Sequence, residues 1–125
     1  MAQVWTQIYG LLSQAQKDGN LEAVVLTDGE GLPMASVTRN GTDGETTAAV
    51  AALARRVAMR VEERIGMDAI DENHFRDKEG RLLVCRLFQA GGQNLILIVL
   101  ADQKRAYRRV TNRLIREVQK LWKVA

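Results

Sequence analysis

The chain has one cysteine, Cys85, one proline, Pro33, and one histidine, His74, among its 125 residues. A single cysteine excludes an intrachain disulfide, so stability must come from packing. With so little His and Cys there is no ligand set for a structural zinc site and no evident nucleophile–base pair. No G-x-x-x-x-G-K-[S/T] or G-x-G-x-x-G stretch occurs, which removes the usual phosphate-cradling loops. The longest unbroken apolar run, Leu95 to Ala101, falls well short of the roughly 20 residues of a transmembrane helix. The first residues, MAQVWTQIYG, lack the basic start and small-residue cleavage site of a secretory signal. These absences predict a cytoplasmic protein with no transmembrane segment, catalytic residue, bound metal or cofactor.

What is present is ordinary for a folded domain: hydrophobic residues are 46% and charged residues 26%. The length fits one domain over residues 1–125, with no linker, repeat or low-complexity segment. The net charge of +3 conceals an asymmetry. Residues 1–80 hold 8 Lys/Arg against 13 Asp/Glu, whereas residues 81–125 hold 10 against 2. Such a division bears on partners, not on fold.

Apolar residues at Val4, Ile8, Leu11, Leu12 and Ala15 trace a helical stripe, which Asp18-Gly19-Asn20 ends, with Gly19 free to turn left-handed. Glu22–Thr27 is a short apolar strand, Asp28-Gly29-Glu30-Gly31 a tight turn, and Leu32–Thr38 the return strand. Pro33 has no N–H for a ladder and puts that strand at an edge. A loop at Asn40–Gly44 leads to a long helix from about Glu45 to Ile65, closed by Gly66. Asp68–Arg76 reads as a second edge strand and Asp77–Gly80 as a turn. Arg81–Phe88 and Asn94–Leu100 are strands joined by Gln89–Gln93, and Asp102 is a candidate N-cap for a last helix reaching Lys123. Val24–Leu26 and Leu95–Leu100 are apolar at successive positions, so both their faces are covered and they belong mid-sheet, between layers of helix.

Five strands at about 4.8 Å spacing make a sheet about twice as wide as one helix can cover. If the first and last helices share one face, the middle helix cannot close the other alone. At about 100° per residue, Val50, Leu53, Ala54, Val57, Val61 and Ile65 form its broad apolar stripe. Ala48, Ala52 and Met59 form a narrower patch on the opposite side. That patch reads either as exposed helix-forming alanine or as a small-residue surface where a second copy of the helix closes in.

The element order, the hairpin LEAVVLTDGEGLPMAS (Leu21–Ser36), the alanine-rich middle helix and the late strand, Gly-Gly loop and strand together resemble the roadblock/dynein light chain family. The resemblance implies an α/β (α+β) sandwich with a five-stranded, mixed but mostly antiparallel sheet of order 2-1-5-4-3. The first and last helices then lie on one face and the middle helix on the other. It also implies a homodimer in which middle helices pack side by side and third strands pair; across that pair the acidic Asp68, Asp71 and Glu72 either repel or let Arg76 meet Asp71. A non-enzymatic scaffold or regulator of a small Ras-like GTPase follows from the same resemblance, bacterial members being frequent. A small-molecule sensor of related mixed-sheet type is the alternative, and it would need an internal apolar pocket.

The remaining candidates have plain readings. His74 has no acidic partner evident in sequence and reads as a surface or interface histidine. Cys85, between Leu83 and Leu87, reads as a buried, inert thiol. Asp28–Gly31 lacks the alternating oxygen ligands of a calcium loop. Arg105, Arg109, Arg113 and Arg116 on the last helix form a basic side that is either solvated or a docking face for an acidic partner. No aromatic is interleaved there, which disfavours nucleic acid.

Overall fold

The computed structural model describes residues 2–39, 41–102 and 107–124. Helix α1 spans Ala2–Gly19, strands β1 and β2 span Leu21–Asp28 and Pro33–Thr38, and helix α2 spans Gly44–Ile65. Strands β3 (Glu72–Arg76), β4 (Leu82–Ala90) and β5 (Gln93–Ala101) then precede helix α3 (Tyr107–Val124). The sheet order is β2-β1-β5-β4-β3, as expected. Each of the four pairings is antiparallel, so the parallel component allowed for in the sequence reading is absent. Chain direction explains this: β1–β2, β3–β4 and β4–β5 are neighbouring hairpins, α2 carries the chain from one sheet edge to the other, and β5 enters beside β1 running the opposite way.

The hairpins rest on local chemistry. Asp28 Oδ1 accepts hydrogen bonds from the N–H groups of Glu30 (2.9 Å) and Leu32 (3.0 Å), while Gly31 N–H donates to the Asp28 carbonyl (3.1 Å). Asp77 repeats the arrangement with Glu79, Arg81 and Gly80. An Asp side chain mimicking a backbone turn, followed by a glycine at positive φ (87° at Gly31, 92° at Gly80), builds both. Between β4 and β5 the expected five-residue loop is shorter: Gly91 and Gly92, both at positive φ, turn the chain alone. The left-handed residue after α1 is Asn20 (φ 50°), not Gly19, which stays helical. Asn is the one other residue that takes this conformation readily. At β3, only Glu72–Arg76 pairs with β4; Asp68–Asp71 lies before the strand. Asp102 is described, but residues 103–106, on which its proposed cap would act and which include Arg105, lie outside what the structure describes.

Alternation along the strands sorts the core into two layers. Val24, Leu26, Val84, Leu95, Leu97 and Val99 point to one face and meet Ile8 and Leu12 of α1 and Leu114 and Val118 of α3. Val25, Cys85, Ile96 and Ile98 point to the other and meet Ala48, Ala51 and Ala54 of α2. The first layer is large and interdigitated; the second is thin because alanines form its roof.

Candidate protein-interaction surfaces

Helix α2 is turned by about a quarter of a revolution from the expected orientation. Its buried residues are Ala48, Ala51, Ala54 and Ala58, and they lie on the sheet. The larger aliphatics Leu53 (54% exposed) and Val57 (51%) face solvent. Ala48, expected at a dimer contact, is fully buried within its own chain, so that placement is corrected. The small side chains do permit a close approach, but to the sheet and the first hairpin. A Cβ added at Gly31 would lie 2.7 Å from the Ala52 Cβ, which places Ala52 against the turn rather than on an open helix face. Met59 is exposed, on that same flank and about 200° round the helix from Val57.

Polar contacts hold α2 in this orientation. Asp43 caps its start, accepting from Glu45 N–H (3.0 Å) and Thr46 Oγ1 (2.8 Å), which holds this carboxylate below its ordinary range. Gly66, at φ 76°, ends it. Arg55 Nη1 donates to the Gly29 carbonyl (2.7 Å), and Asn73 Nδ2 on β3 donates to the Ala54 carbonyl (3.0 Å).

Helix α2 packs mainly over β1, β2 and β5. The β4–β3 side of this sheet face is left thinly covered. Phe75 pairs with Leu83 across β3 and β4, so both point to the α2 side. Phe75 is 47% exposed, and Leu83 and Leu87 are only partly buried. Together with Val50, Leu53, Val57 and Val61 along the facing flank of α2, these residues make an apolar surface bounded by an unpaired strand edge. This apolar surface is the candidate interaction site on the α2 face. Arg76 is exposed at the end of that edge, its guanidinium 3.5 Å from the Gly80 carbonyl. Asp71 accepts at its backbone carbonyl from Leu87 N–H, just before the strand begins.

The opposite face of β3 is polar and closed by ion pairs. Glu72, largely buried, receives Arg108 Nη1 of α3 (2.7 Å), His74 Nε2 (3.0 Å) and, at longer range, Arg86 Nε (3.4 Å). Tyr107 stacks edge-on against His74 with its hydroxyl 3.0 Å from Nε2, and Arg86 donates to Thr111 and Asn112. Burial alone would push the Glu72 carboxyl up, but the hydrogen bonds and charges of His74 and Arg108 outweigh it and hold the group below the ordinary carboxylate range. His74 thus has the acidic partner that the sequence concealed, two positions away on the same strand face. The cluster fastens the sheet edge to the start of α3. Burial pushes the Cys85 thiol up to about 12, which leaves it a poor nucleophile.

Among the described residues no group of three or more His, Cys, Asp or Glu side chains could hold a metal ion, and no helix is long and apolar enough to cross a membrane. Of the expected basic docking residues, Arg109, Arg113 and Arg116 stand exposed on α3. Arrangements like this belong to a small α+β module that works through its surfaces.

The chain belongs to the Roadblock/LC7 domain family, whose model matches residues 8–101. Its fold is that of Myxococcus xanthus MglB, with a TM-score of 0.81 at 18% identity, covering 96% of this chain and 98% of that one. A gliding protein MglB from Thermus thermophilus matches at 0.76 and 13% identity, covering 98% and 93%. An MglB described with a tetrameric arrangement matches at 0.80 and 12% identity, covering 96% and 90%. No curated protein matches the chain.

Proposed function

We propose that two copies of this chain pair through the α2 flank and the β3 edge, and that the dimer is a non-enzymatic scaffold for a small Ras-like GTPase, modulating its GTP hydrolysis or its localisation. The observation that carries this reading is the apolar surface of Leu53, Val57, Phe75 and Leu83 beside an unpaired strand. A second copy covers it with like residues, as a two-fold contact requires. The contact centres on Leu53 and Val57, takes in Arg76 at the edge, and leaves Ala52 and Met59 on the hairpin flank. Family membership supports the GTPase partner, and the tetrameric arrangement described for one structural relative supports self-association. The chain works in the cytoplasm in this reading. A scaffold needs no catalytic group of its own, because it acts by ordering residues that the GTPase already has.

The test mixes the purified chain with a small Ras-like GTPase of the same organism and follows single-turnover GTP hydrolysis and nucleotide exchange. The expected result is a changed rate that is lost with Leu53→Arg, while the chain alone neither binds nor hydrolyses GTP. Nucleotide binding by the isolated chain, or a rate indifferent to its presence together with no complex on gel filtration, contradicts the reading.

A further inference from the structure

The face of the molecule opposite α2 carries a second unpartnered feature. Helices α1 and α3 run antiparallel across the sheet and are pinned at one end, where Trp5 and Trp122 meet edge-to-face with ring centroids 5.9 Å apart. Toward the other end they leave a groove of about 470 Å³. Leu11 and Ala15 of α1 and Val110 and Leu114 of α3 form its apolar part, with Leu11 and Val110 only half-buried. Arg109 and Arg113 rim it.

These arginines continue as a stripe. Arg109, Arg113, Arg116 and Lys120 recur at i, i+4, i+7 and i+11, which puts all four along one side of α3. Like charges at this spacing repel and destabilise a helix, so the stripe does not serve the fold. Arg81, Arg86 and Arg108 each have a carboxylate within 4.0 Å. Arg109, Arg113 and Arg116 have no ion-pair partner among the described residues. The two carboxylates at the groove are already engaged: Asp18 accepts from Gln14 Nε2 (2.8 Å), and Glu117 stands 3.8 Å from Lys120 Nζ.

We infer that the groove between α1 and α3 docks an acidic segment of a partner protein, whose large apolar side chains seat against Leu11, Ala15, Val110 and Leu114 while its carboxylates meet Arg109, Arg113 and Arg116. Charge complementarity selects the sign: Arg109, Arg113 and Arg116 lie in one row on α3 without an ion-pair partner among the described residues, Glu117 beside them faces Lys120, and Asp18 sits on the α1 side of the groove. The recessed floor selects a peptide over a membrane: a flat bilayer would meet the arginine rim without reaching Leu114. The volume admits a few side chains of a short segment, not a folded domain. Since the groove lies on the other side of the sheet from Leu53 and Val57, this site is independent of self-pairing.

The test uses the full chain and a short fluorescein-labelled peptide of alternating Glu and Leu pairs, followed by anisotropy. Counterparts carry Ser for Leu or Lys for Glu, and phosphatidylcholine vesicles containing phosphatidylserine serve as the membrane probe. Saturable binding of the Glu–Leu peptide is expected, weakening as salt rises. It falls at least tenfold in the R109Q/R113Q/R116Q variant, whose melting temperature stays that of the parent because exposed charges contribute little to folding. Val110→Glu removes binding from the floor side; if that variant does not fold, the arginine variant still decides. No saturation by about 1 mM peptide, equal binding of the Ser or Lys counterpart, an unaffected arginine variant, or binding to vesicles in place of the peptide would each overturn the assignment.

Discussion

The two faces of the sheet are built from the same alternating strands, yet they are finished differently. On the α1/α3 face, Ile8, Leu12, Leu114 and Val118 are buried among Val24, Leu26, Leu97 and Val99. Two helices suffice for five strands, and a charged cluster at Glu72 seals the β3 end. On the α2 face one helix must serve the same width. It meets the sheet with alanines and turns Leu53 and Val57 outward, leaving Phe75 and Leu83 part-exposed at the edge. The first face is roofed by helix across its strands, whereas the β3–β4 side of the second is left part-exposed. Apolar burial is worth about 25 cal/mol per Å², so an aliphatic face left in water by the fold is available for association.

Substitutions on each face sharpen that contrast. The larger effect belongs to Gly31→Ala on the α2 face. It combines a left-handed backbone, about 1–2 kcal/mol for a residue with a Cβ, with a collision against Ala52 of the kind that costs about 1–3 kcal/mol. Urea unfolding should show a loss of about 2–5 kcal/mol, and Gly31→Ala combined with Ala52→Gly should recover the collision part less the roughly 0.5–1 kcal/mol of a mid-helix glycine. A loss below about 0.5 kcal/mol would mean that α2 does not rest on the hairpin as described.

A smaller and pH-dependent effect belongs to Glu72→Gln on the other face. Glu72 has a folded pKa below its unfolded value of 4.5. Its contribution is therefore fully present above 4.5 and is lost as the pH falls through the folded value. At neutral pH the variant should lose about 1–2 kcal/mol, below the roughly 1.5–3 kcal/mol of a hydrogen bond to a charged group because the His74 and Arg108 side chains are exposed. Its acid-unfolding curve should lack the part of the fall below pH 4.5 that the parent shows. Parallel curves for parent and variant would contradict the role given to the Glu72–His74–Arg108 cluster.

Much of this architecture was legible in the chain. Pro33 marked an edge, the uninterrupted apolar runs of β1 and β5 marked the centre, and Asp-x-x-Gly marked two turns by side-chain chemistry alone. The orientation of α2 was not legible, for a physical reason. Hydrophobic periodicity points the largest apolar stripe inward only when a helix has one apolar environment. Here Val50, Leu53, Val57 and Val61 flank the open part of the sheet face, while the alanines take the close approach that Gly31 allows. The Glu72 cluster was hidden because its members come from three elements, with Arg108 36 positions from Glu72. The alternation in Glu72-Asn73-His74-Phe75-Arg76 was the available signal: it puts Glu72 and His74 on one side and Phe75 on the other. Asp43 was likewise readable as a cap from the Glu45 and Thr46 that follow it.

The incompleteness of the α2 face is tested most directly by the mass of the protein in solution. Light scattering at micromolar concentration should give twice the 13.9 kDa of one chain for the parent. The L53R/V57R variant should fall to a single chain with unchanged circular dichroism, because both side chains are exposed and neither supports the monomer core. A parent that runs at 13.9 kDa, or a variant that stays at twice that mass, would contradict the account.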